Sequence, residues 1–305
     1  LKLKKNDTFV FSLFGQSHFV THITKALKLT KGKLITHQFP DGESYIRYGD
    51  SLKGKKVVII DTLDHPNEKT LPLIFAAETA KELGATNVGL VAPYLAYMRQ
   101  DTRFHPGEAI TSTYFGKLIS QAFDWMVTVD PHLHRRHTLS EIYTIPTQVV
   151  SAAPIISSWI EKHVSQAVLI GPDEESKQWV SQIAQGIHIP FTVLEKTRLD
   201  DHHVNVSVPA LKNFSHHTPV LIDDIVSTGQ TMIETIRHLK VIGAKPPVCI
   251  VVHPIFAGIR TQTLIEAGAK QVVSCNTIPH NSNELDLSEI LAAAINQSFL
   301  AIQAE

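Results

Sequence analysis

Two adjacent carboxylates, Asp223 and Asp224, stand just ahead of Ser227, Thr228, Gly229, Gln230 and Thr231 in the stretch VLIDDIVSTGQT at 220–231. Neighbouring carboxylates can accept hydrogen bonds from two adjacent hydroxyls of a sugar. A small, hydroxyl-rich turn that feeds a helix offers backbone N–H groups to a phosphate. Val220, Leu221 and Ile222 precede the acids, as in a strand buried on both faces. After the turn, Met232, Ile233, Ile236 and Leu239 fall on one side of a helix. Open parallel sheets bind ligands beyond the carboxyl ends of their strands. The stretch is therefore suited to grip a phosphorylated sugar. The plain alternative is a buried strand, a solvated acid pair and a Ser/Thr helix cap.

Other polar clusters also follow apolar runs. Phe39-Pro40-Asp41-Gly42-Glu43 places a ring and two acids around a tight turn. The ring could stack on a base and the acids could accept from its exocyclic amine; the alternative is a hairpin turn with a buried Phe. In PYLAYMRQD at 93–101, Arg99 and Gln100 could meet polyphosphate and base, or Arg99 is simply solvated. Asp130-Pro131-His132-Leu133-His134 precedes Arg135, Arg136 and His137. Alternating His132 and His134 could ligate zinc. A place for His132 near magnesium or a transferred phosphoryl group is preferred, because magnesium accompanies phosphates and no thiolate is near. Asp173, in Gly-Pro-Asp at another strand end, is a further metal-side candidate. Lys196-Thr197-Arg198 reads as a flexible basic loop of the kind phosphoryl transfer uses, although such pairs are usually surface groups. GxxxxGK[ST] and GxGxxG are both absent.

Positioning these clusters requires a repeating strand–helix chain. Apolar runs at 8–13, 57–61, 88–93 and 125–130 read as strands, and 18–29, 71–83 and 110–122 as helices. Residues 34–39 and 43–48 read as a hairpin around Asp41-Gly42. The pattern restarts with a helix at 152–163 and continues to a final helix at 287–302. The fold class is α/β, with two halves, each a mainly parallel sheet flanked by helices. The expected domains are 1–148 and 149–305, the second carrying the acid-pair loop and its last helix able to pack back on the first.

The chain has 305 residues, 43% of them hydrophobic, enough for ordinary globular cores. A net charge of −1 gives no basic field for nucleic acid. Cys249 and Cys275 lie in apolar runs and read as buried, reduced thiols. No apolar run is long enough to span a membrane. The opening LKLKKNDTFVFSLFG has too short and broken an apolar stretch for a secretory leader, so a cytoplasmic location is expected.

The 220–231 stretch resembles the phosphoribosyl-diphosphate loop of type I phosphoribosyltransferases and ribose-phosphate diphosphokinases. FPDGE at 39–43, PYLAYMRQD at 93–101, VDPH at 129–132, GPD at 171–173, EKTRL at 195–199 and HPIFAG at 253–258 follow the order and spacing of the diphosphokinases. FHPGE at 104–108 is similar to their archaeal-type branch. The resemblance implies two phosphoribosyltransferase-type domains and the conversion of ATP and ribose 5-phosphate to AMP and 5-phosphoribosyl 1-diphosphate. It implies that Asp223, Asp224, Ser227, Thr228, Gly229, Gln230 and Thr231 hold ribose 5-phosphate. Gln230 departs from the Gly usual there, and its side chain can point away while its backbone serves the phosphate. It implies a homo-oligomer with a shared ATP site, in which Phe39, Asp41 and Glu43 of one subunit join Arg99, Gln100, Asp101 and His132 of a neighbour. His132 and Asp173 would hold Mg2+, and Lys196 and Arg198, with His132, would be catalytic. The basic segment of bacterial and mammalian forms is absent between Arg99 and Glu108 apart from Arg103, so their phosphate and ADP regulation does not carry over. The rivals are a nucleobase phosphoribosyltransferase, which needs no second half and no EKTR segment, and a non-catalytic regulatory homologue, which should have lost residues retained here.

Overall fold

The computed structural model describes residues 7–15, 17–133, 135–171, 176–198, 204–207, 216–258 and 261–302. The chain divides into two compact units, Leu1–Val150 with Ser288–Glu305, and Ser151–Leu287.

The first unit runs β1 (Thr8–Phe11), α1 (Ser17–Leu27), β2 (Thr30–Lys31), β3 (Leu34–Gln38), β4 (Ser44–Tyr48), β5 (Lys56–Ile60), α2 (Pro66–Glu82), β6 (Asn87–Ala92), α3 (Thr111–Ala122), β7 (Trp125–Val129) and β8 (Thr147–Val150). Its parallel sheet has the order β2-β1-β5-β6-β7-β8, and β3 and β4 form a separate antiparallel hairpin. The inner strands are near-continuous Val, Ile and Leu because both faces are covered. Gly89 is required beside Trp125 on the next strand: a Cβ there would lie 2.0 Å from the indole. That indole donates to Asn87 Oδ1 at 2.7 Å and meets Phe299 of the chain's last helix edge-on at 5.0 Å.

The second unit runs α4 (Ala153–His163), β9 (Ala167–Gly171), α5 (Lys177–Gly186), β10 (Phe191–Val193), β11 (Glu195–Arg198), β12 (Val204–Ser207), β13 (Thr218–Val226), α6 (Gln230–Val241), β14 (Val248–Pro254), α7 (Thr261–Ala267), β15 (Gln271–Cys275) and β16 (Asn283–Leu285). Its parallel sheet has the order β10-β9-β13-β14-β15-β16. The core beneath α6 and α7 contains Ile170, Leu221, Ile236, Leu239, Val251 and Leu264. Cys249 and Cys275 are free and buried, and burial pushes the Cys249 thiol up to about 12. The last helix, α8 (Ser288–Ile302), packs against α1, β7 and β8 of the first unit.

The two sheets share one topology. In each, the second strand lies at the edge beside the first, and the later strands add on the first strand's other side. In each, a separate two-stranded antiparallel pair enters the chain before the third sheet strand, β3–β4 in one and β11–β12 in the other. The fold is thus α/β with two mainly parallel, helix-flanked sheets. The edge strands β2, β8 and β16 lie outside the strands read from sequence; they are short and partly exposed, so they lack a long apolar run. The expected basic loop at 196–198 is a strand instead, with Lys196 opposite Val206 and Arg198 opposite Val204. Its composition is that of a loop, and its pairing comes from a partner further along the chain. Among the described residues no helix is long and apolar enough to cross a membrane.

Candidate active site

In the second unit, β13 continues through both acids to Val226, so Asp223 and Asp224 lie within the strand rather than beyond it. Asp223 registers beside Val251, and Ile225 beside His253. Asp223 lines a shallow depression with Gly171, Leu221, Thr231, Met232 and Thr235. Gly229 then takes the left-handed conformation, φ 66°, at the head of α6, where any Cβ would be strained. The first-turn N–H groups of α6 have no acceptors within the helix, so they can face an anion. Gln230 Nε2 donates to Glu234 Oε1 at 2.6 Å, which lays this side chain back along the helix.

A second loop braces this one. Phe256, itself left-handed at φ 43°, donates its N–H to Val226 O at 2.9 Å. Thr277 Oγ1 gives its one proton to Val252 O at 2.6 Å, so it accepts from His253 Nδ1 at 3.0 Å. That bond fixes the tautomer of a buried imidazole at the end of β14. The ring of Phe256 lies 4.7 Å from that of His280, whose pKa burial lowers. On the other side, β9 ends on Gly171 because a Cβ would stand 2.6 Å from Ser176 Oγ.

In the first unit, Phe39 to Glu43 form the tip of the β3–β4 hairpin. Phe39 N donates to Glu43 O at 2.7 Å, Gly42 N to Phe39 O at 2.9 Å, and Glu43 N to Asp41 Oδ1 at 3.2 Å. Phe39 is 44% exposed, which removes the buried-Phe reading of this turn. Its ring meets His37 edge-on at 4.9 Å, and His37 stacks on Tyr45 at 4.3 Å. An exposed aromatic face with two exposed carboxylates is therefore presented at a sheet-free tip.

Three loops beyond the ends of β6 and β7 are tied together. Gln100 Oε1 accepts from Thr111 Oγ1 at 3.1 Å, while Arg99 is exposed. The nearly buried Asp101 carboxylate accepts from Arg135 at 3.2 Å, and Arg136 donates to Asp101 O and Thr113 Oγ1. Glu108 accepts from the N–H groups of Phe104 and His105, closing the 104–108 turn, and Arg135 lies 5.1 Å from the Phe104 ring centroid. Asp130 and His132 both have positive φ, 32° and 37°, around Pro131. Non-glycine residues in that region are strained, and strain of this kind concentrates where a side chain must be aimed. Asp173 and His134 lie outside the described residues; Lys196 and Arg198 take their places on β11.

Residues 8–122 match the family model for the N-terminal domain of ribose phosphate pyrophosphokinase, and residues 138–289 the phosphoribosyl transferase domain. The ribose-phosphate pyrophosphokinase of Saccharolobus solfataricus is 31% identical over 279 residues, covering 90% of this chain and 95% of the relative. The chain belongs to the ribose-phosphate pyrophosphokinase family. The relative from Methanobrevibacter smithii is 30% identical, over 89% of this chain and 94% of its own. A crystal structure of phosphoribosylpyrophosphate synthetase from Mycobacterium smegmatis shares the fold, with a TM-score of 0.85 at 21% identity, covering 97% of this chain and all of the other.

Within this ribose-phosphate pyrophosphokinase fold, several residues act as supports through pairings that the sequence does not show. Arg135, Arg136 and Glu108 hold the loops at 99–101 and 103–108, and the pair His253–Thr277 holds the strand end beside Ile225. The HPIFAG segment marks His253, but its partner lies a strand away. Asp61 ends the apolar run at 57–61, and its donors come from the loop after β1.

Proposed function

We propose that this chain transfers the diphosphoryl group of ATP to ribose 5-phosphate, giving AMP and 5-phosphoribosyl 1-diphosphate, as a cytoplasmic homo-oligomer. The observation that carries the reading is the acid pair on β13 running into the left-handed Gly229 and the head of α6. It lies at the β9/β13 reversal of strand order, where open parallel sheets hold ligands. Asp223 and Asp224 would accept from the ribose 2- and 3-hydroxyls. The backbone of Ser227 to Thr231 would hold the 5-phosphate, with Gln230 turned aside.

On the nucleotide side, Phe39 would stack on the adenine and Asp41 and Glu43 accept from its amine, while Arg99, Gln100 and His132 of a neighbouring subunit serve the phosphates and base. Asp101 orients Arg135 rather than standing open to a ligand. Lys196 and Arg198 would stabilise charge on the diphosphoryl group as the sugar's 1-hydroxyl attacks the β-phosphorus and AMP departs. Positioning and charge stabilisation suffice, and no covalent intermediate is formed. The donor set of an imidazole at the strained 130–132 turn, together with carboxylates and phosphate oxygens, suits Mg2+. His132 and Asp173 would hold the ion, which neutralises phosphate charge when bound.

The test is AMP formation from ATP with and without ribose 5-phosphate. AMP is expected only with the sugar, together with an equal amount of phosphoribosyl diphosphate. No AMP, with nucleobase-dependent consumption of phosphoribosyl diphosphate, would favour the transferase; inactivity in both assays would favour a regulatory homologue.

A further inference from the structure

The two sheets share a strand order, so their points of reversal can be superposed by register. Ile59 of β5 lies beside Phe11 of β1, and Leu221 of β13 lies beside Ile170 of β9. From those pairs, Val58-Ile59-Ile60-Asp61-Thr62 corresponds to Val220-Leu221-Ile222-Asp223-Asp224. Both segments then reach a left-handed residue at the head of a helix, His65 (φ 53°) before α2 and Gly229 (φ 66°) before α6. Aligned on those pairs, Asp61 stands level with Asp223.

The surroundings of the two acids differ. Asp223 is half-buried beside a surface depression, whereas Asp61 has no solvent exposure. Asp61 Oδ1 accepts from Ser12 Oγ at 2.8 Å and from Phe14 N at 3.0 Å, and Oδ2 accepts from Leu13 N at 2.9 Å. These donors belong to the loop that leaves β1. The connection to the helix is also shorter, His65 following Asp61 sooner than Gly229 follows Asp223. Lys69 is near: its Nζ donates to Thr62 O at 3.1 Å and to the Asp64 carboxylate, and stands 5.5 Å from the Phe14 ring centroid.

We infer that the first unit's switch point is an anion site filled by the chain's own carboxylate. Asp61 sits on the N–H groups of Leu13 and Phe14 and the hydroxyl of Ser12 as a bound anion would. Consecutive backbone amides converging on one acceptor are the arrangement that holds free anions elsewhere in proteins. Here the ligand is covalently attached, so the loop after β1 is held closed without one. The site is vacant only if the carboxylate is deleted, and three buried or part-buried donors left without an acceptor then favour a replacement from solution. The inference does not depend on what the second unit binds.

The experiment is rescue of Asp61→Ala by formate, the fragment deleted, at pH 7.5, with chloride at equal ionic strength as the reference. Thermal unfolding of the variant should rise saturably with formate by about 3 °C or more, and that of the unchanged protein by less than about 1 °C. Equal shifts in both proteins would overturn the inference. Amide exchange of the unchanged protein gives a readout that does not require the variant to fold. The N–H groups of Leu13 and Phe14 should be protected about 100-fold or more above the neighbouring Gly15, and exchange of all three at the same loop-like rate would equally overturn it.

Discussion

Asp61 gives a stability test with a definite sign. Burial pushes its carboxyl up to about 6 from an ordinary 3.8, against donation from Leu13, Phe14 and Ser12 and the nearby charge of Lys69. The folded chain thus holds the proton more tightly than the unfolded chain does. Its contribution to stability is full below about pH 4, is lost as pH rises through about 6, and is constant above about pH 7. At about 1.4 kcal/mol for each pH unit between the folded and unfolded values, ionising this group costs the first unit about 3 kcal/mol. Asp61→Asn keeps the shape and removes the titration. Lys69 and Tyr48, the other ionisable groups that interact with Asp61, remain in both proteins and cancel in the difference. The stability of the unchanged protein minus that of the variant should therefore fall by about 3 kcal/mol between pH 4 and pH 7. Global unfolding measured by amide exchange of β5, or by urea midpoints at matched ionic strength, reads it directly. A difference that stays flat to within about 0.5 kcal/mol across that range would refute the reasoning, because it would mean that the three donors offset the burial completely.

Asp223→Asn and Asp224→Asn should raise KM for ribose 5-phosphate about 10- to 100-fold with little change for ATP, since each removes a charge-assisted acceptor of about 1.5–3 kcal/mol; steady-state kinetics with each substrate varied will show whether the sugar alone suffers. Lys196→Ala and Arg198→Ala should fold, bind both substrates nearly as well, and lose about 10²-fold or more in kcat; single-turnover AMP release near the normal rate would remove both from the chemistry. Mixing a Phe39→Ala chain with a Lys196→Ala chain should restore part of the activity if the nucleotide site is shared, and mass-verified hybrids without recovery would place it in one chain. Gly89→Ala should destabilise the first unit by about 3 kcal/mol or more, at the upper end of overpacking costs, because its Cβ would enter the Trp125 indole at 2.0 Å; an unchanged thermal midpoint would contradict that packing.

Most of the sheet strands were legible because strands covered on both faces must be apolar throughout, as in KVVII, WMVTV and AVLIG. The duplicated strand order was not legible. Corresponding strands need only be apolar, so they do not retain a common sequence, and the order depends on pairing partners far along the chain. The turn at the head of α6 could be read because left-handed backbone demands Gly229, a local requirement. Its supports could not. Phe256 reaches Val226, and Thr277 reaches His253, through loops after neighbouring strands. The same limit hid the β11–β12 pair, where Lys196 registers with Val206.

Within the duplicated topology the two strand ends differ in how their polar residues are buried. At the first, the second acid position is Thr62, fully buried, and no partner for its hydroxyl is found among the described residues. A carboxylate there would add an uncompensated buried charge, so the position tolerates only a small neutral group. At the second, Asp224 stands half-buried next to Asp223, and like charges on adjacent residues repel. Solvent screens that repulsion, and hydroxyl donors from a sugar would offset it further. One crevice therefore has its charge satisfied from within and contributes rigidity. The other keeps two half-buried acids in sequence, and the reading proposed above, a polyhydroxylated, phosphorylated ligand, rests on that difference in burial rather than on any difference in fold.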